Sequence, residues 1–300
     1  MIPEFPEFKK LELSDREEIE SFTKKFPPYS DFNFVSMWSW DVRGDMRVSW
    51  LNSNLVVKFS HYLTEDSFYS FIGDCKVNET AEALLEFSKI DLTDEIKLVP
   101  EFTANMLDTN IFALTREDDQ ADYIYDLKFI ADFSGGHFAS KRTAINKLLK
   151  NNSVRAEIVD IKQEISKFSI KKVNISWIQH KTSKDPYGEI QNELIAIDRF
   201  LSNDFGESMI CIGVYIGDQM VGYHMAELVN SEYAICHYIK ADFSHNGIYD
   251  YLMRESAKIL FEKGYKYINF EQDLGLQGLK ASKERFSTGI FLEKFKVVLK

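Results

Sequence analysis

The chain has 300 residues, of which 45% are hydrophobic and 28% charged, and its formal net charge is −11. This composition is typical of a globular protein and excludes an intrinsically disordered chain, and the length is enough for two domains of about 150 residues each. The negative charge would repel nucleic acid and anionic membrane surfaces at long range. The sequence shows neither a signal peptide nor an apolar run long enough to span a bilayer, so we expect a cytoplasmic protein.

The N-terminal half is predicted to begin with helices and to continue as a sheet. Helices are expected near residues 14–25, 32–41 and 79–87. A β-hairpin is predicted over residues 46–63, and further strands over 67–72, 95–99 and 123–127. Gly135 and Gly136 then break the chain.

The C-terminal half opens with a helix predicted over residues 188–201, where apolar residues recur at helical spacing. Gly217 and Asp218 suit a type II′ turn between two strands because glycine accepts positive φ. The strands and the second helix are predicted in the order strand 209–216, strand 219–229, strand 233–240, helix 248–263 and strand 266–270.

Both halves therefore show the order helix, hairpin, strand, helix, strand. This repetition predicts an α+β (α/β) fold built from two duplicated modules, each a mixed sheet covered by helices. We place the N-terminal domain at residues 1–135 and the C-terminal domain at residues 136–300.

Five stretches resemble a known family: residues 27–40, 122–142, 192–198, 237–252 and 267–286. They are similar to the DUF2156 family, which is related to the C-terminal catalytic domain of phosphatidylglycerol lysyltransferases. The resemblance implies two tandem GNAT-like domains, each with a mixed, mainly antiparallel sheet flanked by helices. It also implies an acyltransferase that moves an acyl or aminoacyl group from a CoA or tRNA carrier to an amine. No permanently bound cofactor is expected, because acyl-CoA or aminoacyl-tRNA would be the donor substrate.

The start of the predicted helix 248–263 is the candidate donor site, because the free N–H groups and the dipole of a helix start favour phosphate. The donor is expected to bind Ile239, Ser244, His245, Asn246, Gly247, Ile248, Tyr249 and Lys283. Only Gly247 matches the pyrophosphate loop of acetyltransferases, in which Ser244 and Tyr249 would occupy the first and last positions. Ser244 or Asn246 could instead be ordinary helix caps. This departure also permits a non-catalytic ligand-binding or interaction module on a degenerate acyltransferase fold.

Three residues are candidates for acid–base chemistry: His237, Glu271 and Asp273. Acyl transfer to an amine needs a base for the ammonium proton, a donor to the carbonyl oxygen and an acid for the leaving group. We expect these side chains to converge at the C-terminal edge of the sheet. His237 could instead be a core histidine, and the two carboxylates could cap the turn before Gly275.

Residues 141–172 are basic although the whole chain is acidic, because they contain nine Lys and Arg and only three Asp and Glu. This segment could hold a phosphorylated ligand or tRNA, or it could be a solvated helix face. The three cysteines, Cys75, Cys211 and Cys236, lie in apolar contexts and are expected to be buried free thiols. No metal site is predicted, because no pair of ligand motifs stands at a recognised spacing.

Overall fold

The computed structural model describes residues 1–60, 66–182, 189–286 and 288–300. The strands are β1 (Lys9–Lys10), β2 (Arg47–Leu51), β3 (Asn54–Ser60), β4 (Ser67–Ile72), β5 (Ile96–Pro100), β6 (Phe112–Arg116), β7 (Asp122–Asp126), β8 (Val154–Val159), β9 (Met209–Ile216), β10 (Gln219–Leu228), β11 (Tyr233–Ala241), β12 (Tyr267–Asn269), β13 (Ile290–Leu292) and β14 (Lys294–Leu299). The helices are α1 (Arg16–Thr23), α2 (Phe34–Trp40), α3 (Val77–Asp91), α4 (Glu101–Ala104), α5 (Leu127–Asp132), α6 (Ala139–Asn151), α7 (Glu164–Thr182), α8 (Glu189–Leu201), α9 (Ile248–Glu262) and α10 (Gln277–Glu284).

The predicted helices and strands are present, with ends that differ by a few residues. The β2–β3 turn places Asn52 and Ser53 at φ 51° and 65°, and Gly217 has φ 57° in the β9–β10 turn. Positive φ matches the twist of a tight hairpin, so these turns close where the sequence indicates. Residues 61–63 of the predicted hairpin and Gly188 of the predicted helix lie outside the described residues.

The strands form three sheets. One has the order β1-β2-β3-β4, the second β13-β7-β12-β11-β10-β9-β8, and the third β5-β14-β6. Neighbouring strands are antiparallel except β11 and β12, which run parallel and are joined by α9 as a crossover helix. The predicted class is confirmed: a mixed, mainly antiparallel α+β fold whose sheets are flanked by helices.

The two predicted halves exchange strands. Strand β7, which precedes Gly135, pairs with β12 and β13 in the seven-stranded sheet. Strand β14, at the other end of the chain, pairs with β5 and β6 of the N-terminal half. The division at residue 135 stays a prediction, and in space each half completes a sheet of the other.

The core fills both faces of the seven-stranded sheet. Helices α5, α6 and α9 cover one face, where Ile212 and Leu252 are fully buried. Helices α2, α7 and α8 pack on the opposite face, together with residues of the four-stranded sheet. A third apolar cluster joins α3 to the four-stranded and three-stranded sheets. This packing brings α2, from the N-terminal half, against the C-terminal sheet.

Two of the three cysteines behave as expected. Cys211 and Cys236 are buried free thiols, and burial raises the pKa of the Cys211 thiol to about 12. The prediction was wrong for Cys75, which is exposed because it lies in the connection between β4 and α3. The described ranges hold no group of His, Cys, Asp and Glu suited to a metal ion. Among their helices, none combines the length and apolarity that crossing a bilayer requires.

Candidate active site between α2 and the end of β11

A cavity of about 560 Å³ opens where α2 faces the end of β11 and the segment from β12 to α10. Ser36 of α2, His237 of β11 and Glu271 after β12 lie on its wall. The cavity is within the size range of small-molecule sites and combines apolar walls with a few polar groups. It is therefore the candidate site for chemistry.

Two backbone irregularities point polar side chains at this cavity. His237 is the extra residue of a β-bulge in β11, because Met225 pairs with Tyr238 while Ala226 pairs with Cys236. Glu271 has φ 58°, in the left-handed region that non-glycine residues rarely adopt. Bulges and strained residues commonly redirect side chains beside functional sites.

His237 and Glu271 come together as the sequence predicted. His237 Nδ1 lies 4.0 Å from Glu271 Oε1, and the His237 side chain has no solvent exposure. His237 Nε2 lies 3.2 Å from Oε2 of Glu227 on β10. The histidine thus stands between two carboxylates at the cavity wall.

Sequence reasoning missed the residues that α2 and β10 contribute. Ser36 Oγ lies 3.3 Å from His237 Nδ1 and 3.2 Å from Glu271 Oε1. Asn33, the N-cap of α2, donates from Nδ2 to Glu227 Oε2 at 2.7 Å. A serine inside the apolar stretch 34–40 carries no recognised motif, so only the packing of α2 could reveal it.

Burial shifts the pKa values of two ionisable groups on the cavity wall in opposite directions. Burial raises the pKa of Glu271 to about 7, although His237 and Lys283 nearby oppose the change. Burial lowers the pKa of Lys283 to about 8, and the Glu271 carboxylate limits that fall. Lys283 Nζ donates to the backbone oxygens of Phe270 and, at 2.7 Å, Gln272. Near neutral pH the site therefore holds a carboxyl and an ammonium that both exchange protons readily.

Asp273 sits in the turn after Glu271 rather than beside His237. Its Oδ2 accepts a hydrogen bond from Tyr123 Oη at 2.7 Å, and its Oδ1 accepts one from the Gly275 N–H at 2.9 Å. The side chain is 1% exposed. These contacts match the turn-capping alternative considered from the sequence.

A buried charge cluster lies next to the segment that carries Glu271. Lys294 Nζ contacts the carboxylates of Asp31 and, at 2.7 Å, Asp122. Asn269 Nδ2 donates to Asp122 at 2.9 Å, and its Oδ1 accepts the Glu271 N–H at 2.6 Å. The cluster thus connects β14 and β7 to the backbone that carries Glu271.

A family model described as "Phosphatidylglycerol lysyltransferase, C-terminal" matches residues 28–298. The match covers most of the chain and spans every residue of this site. The chain belongs to this family.

Solved structures agree with this assignment. A conserved protein of unknown function from Bacteroides thetaiotaomicron is 25% identical, with TM-score 0.82 and full coverage of both chains. The C-terminal (DUF2156) domain of a putative lysylphosphatidylglycerol synthetase from Agrobacterium fabrum is 13% identical, with TM-score 0.60 and coverage of 95% of this chain and 91% of that one. L-PGS from Bacillus licheniformis is also 13% identical at TM-score 0.60, covering 99% and 93%. No curated protein sequence matches the chain.

The residues predicted to bind the donor do not all lie at the cavity. Ile239, Tyr249 and Lys283 line the cavity. Ser244, His245 and Asn246 form the loop before α9, and Ile248 is buried in the core. Gly247 is the N-cap of α9, and neither serine nor asparagine caps the helix through its side chain.

Gly247 lies against helix α6. It has φ 86°, and a Cβ added there would stand 2.8 Å from the backbone carbonyl of Ala144. The nearby Asp242 carboxylate accepts the Ser244 N–H at 3.0 Å. Gly247 thus packs against α6, and an acidic side chain accepts a hydrogen bond from the loop that precedes α9.

We expect Gly247→Ala to lower the free energy of unfolding by about 2–3 kcal/mol, because left-handed strain of ~1–2 kcal/mol adds to a clash with backbone. Gly264→Ala is the matched control, since its φ is 98° and an added Cβ meets no described atom within 4 Å. Urea unfolding of both variants measures the difference. Equal losses would show that the contact with Ala144 relaxes at no cost.

The basic segment 141–172 does not form a single surface. It runs through α6, β8 and α7. Lys141 is buried, with Nζ 3.3 Å from the backbone oxygen of Arg285, and burial lowers its pKa. Lys167 pairs with Glu164 at 3.0 Å on the surface. Part of the positive charge is therefore committed to internal contacts.

Proposed function

We propose that this protein is an acyltransferase that moves an acyl or aminoacyl group from a CoA or tRNA carrier to an amine acceptor. The observation that carries the proposal is Glu271, a carboxyl with a pKa of about 7 on the wall of the cavity beside His237. Family membership supports the reaction class, since the family is named for lysyl transfer.

The cavity residues match the needs of direct transfer. An amine is an ammonium at neutral pH, and Glu271 is placed to remove its proton before the nitrogen attacks the acyl carbon. Lys283, with a pKa of about 8, can return a proton to the departing thiol or ribose hydroxyl. Its positive charge also favours the oxyanion of the tetrahedral intermediate. Donor carbonyl and acceptor amine would meet between these two side chains.

The net charge of −11 favours the smaller carrier. We expect millimolar CoA to raise the melting temperature, because a ligand that binds the folded state stabilises it by RT ln(1 + [L]/Kd). In filter binding, we expect the protein to retain tRNA at about 50 mM salt and to release it at about 200 mM. Binding through only a few phosphate contacts weakens in this way as salt rises. Absence of a CoA shift together with retention of tRNA at the higher salt would assign the donor to tRNA.

A non-catalytic ligand-binding module is the second candidate. The packing of Gly247 on Ala144 favours it, because this contact leaves little room on that side of the start of α9. Substituting His237, Glu271 and Asp273 one at a time separates the two functions once a turnover assay exists. Unchanged turnover in all three variants would favour the binding module or a different site.

A further inference from the structure

Ser36, His237 and Glu227 form a continuous hydrogen-bonded row. Ser36 Oγ is 3.3 Å from His237 Nδ1, and the opposite ring nitrogen, Nε2, is 3.2 Å from Glu227 Oε2. When Nε2–H donates to Glu227, the lone pair of Nδ1 faces the serine hydroxyl. The hydrogen-bond partners thus select the tautomer in which Nδ1 is a base.

Each member of the row is held in place. Asn33 Oδ1 accepts the Ser36 N–H at 2.8 Å, and Asn33 Nδ2 donates to Glu227 at 2.7 Å, so one side chain fixes both ends. His237 packs against the Phe200 ring, with centroids 5.8 Å apart. Ser36, Glu227 and His237 are 6%, 4% and 5% exposed. A nucleophile, a base and a carboxylate that orients the base, all prearranged, are the signature of covalent catalysis.

Ser36 lies on the wall of the cavity. Ser36 and His237 both line it, together with apolar side chains of the N-terminal half such as Met37 and Trp40. Glu271 Oε1 lies 3.2 Å from Ser36 Oγ and 4.0 Å from His237 Nδ1. An imidazolium formed at His237 would therefore be flanked by two carboxylates, which stabilises its charge.

We propose that Ser36 is an acyl-accepting nucleophile, with His237 as its general base and Glu227 as the residue that orients the base. The expected substrates are esters and thioesters with a small apolar acyl group, which fit the apolar wall. This activity goes beyond direct transfer, in which donor and acceptor react without a covalent enzyme intermediate.

These residues account for every bond and proton in the covalent step. Ser36 Oγ forms a bond to the acyl carbon, and its proton moves to His237 Nδ1. The carbon–oxygen or carbon–sulfur bond of the donor then breaks, and the proton passes from Nδ1 to the departing oxygen or sulfur. Water next attacks the Ser36 ester and gives a proton to Nδ1. The bond between the acyl carbon and Ser36 Oγ then breaks, Nδ1 returns the proton to Oγ, and the carboxylic acid is released.

The test uses the full chain with p-nitrophenyl acetate and p-nitrophenyl butyrate. We expect a burst of p-nitrophenol of about one equivalent per chain, a mass increase of one acyl group, and an acylated peptide that contains Ser36. Ser36→Ala should lose the burst and the adduct. Glu227→Gln should slow acylation by about 100-fold or more, because the tautomer is no longer imposed.

Ser39→Ala is the matched control. Ser39 lies one turn further along α2, is fully buried, and donates to the backbone oxygen of Val35 at 2.7 Å. This variant should acylate like the natural protein. Peptide mapping of the unsubstituted chain gives the answer even if Ser36→Ala folds poorly.

Two results would overturn the proposal: no adduct with either ester, or adducts confined to lysine side chains. Loss of amine transfer in Ser36→Ala without any Ser36 adduct would also overturn it, and would leave Ser36 as a hydrogen-bonding residue for direct transfer. The proposed acyl transfer and the covalent role of Ser36 can thus fail separately.

Discussion

Replacing Glu271 with glutamine is expected to lower the rate constant of acyl transfer by about 10²–10⁴-fold, the usual contribution of a general base. Glutamine keeps the shape and can still form a hydrogen bond with Ser36, but it cannot take up the ammonium proton. The measurement is single-turnover release of free CoA or tRNA with a panel of amines. In the unsubstituted protein this rate should rise between pH 6 and 8, because the ionised form of Glu271 is the base and its pKa is about 7.

Glu232→Gln is the control for this experiment. Glu232 is 47% exposed and pairs with Lys266 at the surface, so its loss removes a similar charge away from the cavity. The rate should stay within about twofold of the unsubstituted value. A Glu271→Gln variant that retains full rate across this pH range would exclude Glu271 as the base.

The raised pKa of Glu271 also predicts a pH dependence of stability that needs no substrate. Between about pH 5 and 7 the folded protein holds this proton while the unfolded chain has released it, so stability falls as pH rises. Glu271→Gln lacks that titration. The difference in free energy of unfolding, variant minus unsubstituted protein, should therefore grow over this pH range in urea titrations. A constant difference would contradict the raised pKa.

Replacing Lys294 with alanine is expected to lower the free energy of unfolding by about 3–5 kcal/mol, the range for breaking a buried ion pair. Lys294 is 0% exposed and its ammonium lies between the carboxylates of Asp31 and Asp122. Without it, two buried carboxylates face each other without a positive partner. Urea unfolding at pH 7 measures the loss.

Lys296→Ala is the matched control, because Lys296 lies two residues further along β14. Its side chain is 38% exposed and its Nζ is 3.4 Å from Glu95 Oε2. Surface pairs of this kind contribute about 0–1 kcal/mol. Similar losses in the two variants would mean that the Lys294 cluster adds nothing beyond an ordinary surface pair.

The local elements of this protein could be predicted from its sequence. Alternating apolar residues and tight turns such as Gly217–Asp218 depend on neighbours only a few positions away, so β9, β10 and β11 were located closely. The placement of His237 and Glu271 was also within reach, because β11 and β12 are parallel and each residue lies two positions beyond the pair Ile235–Asn269. The sequence could not show that Asp273 differs from Glu271. The two residues are only two positions apart, and the local backbone conformation decides whether each carboxylate points into the cavity or back into the turn.

The tertiary structure alone decided which distant residues complete the site. Ser36 and His237 are 201 positions apart, and Ser30 and Gln272 are 242 apart, so no local pattern relates them. The exchange of β7 and β14 between the halves has the same origin. The backbone groups at a strand edge can pair with any strand, so the partner depends on the packing of the whole chain. Local sequence determines helices, strands and turns through short-range sterics and periodicity. The Ser36–His237–Glu227 row depends on long-range packing of α2 and on one bulge in β11, and these are properties of the assembled chain.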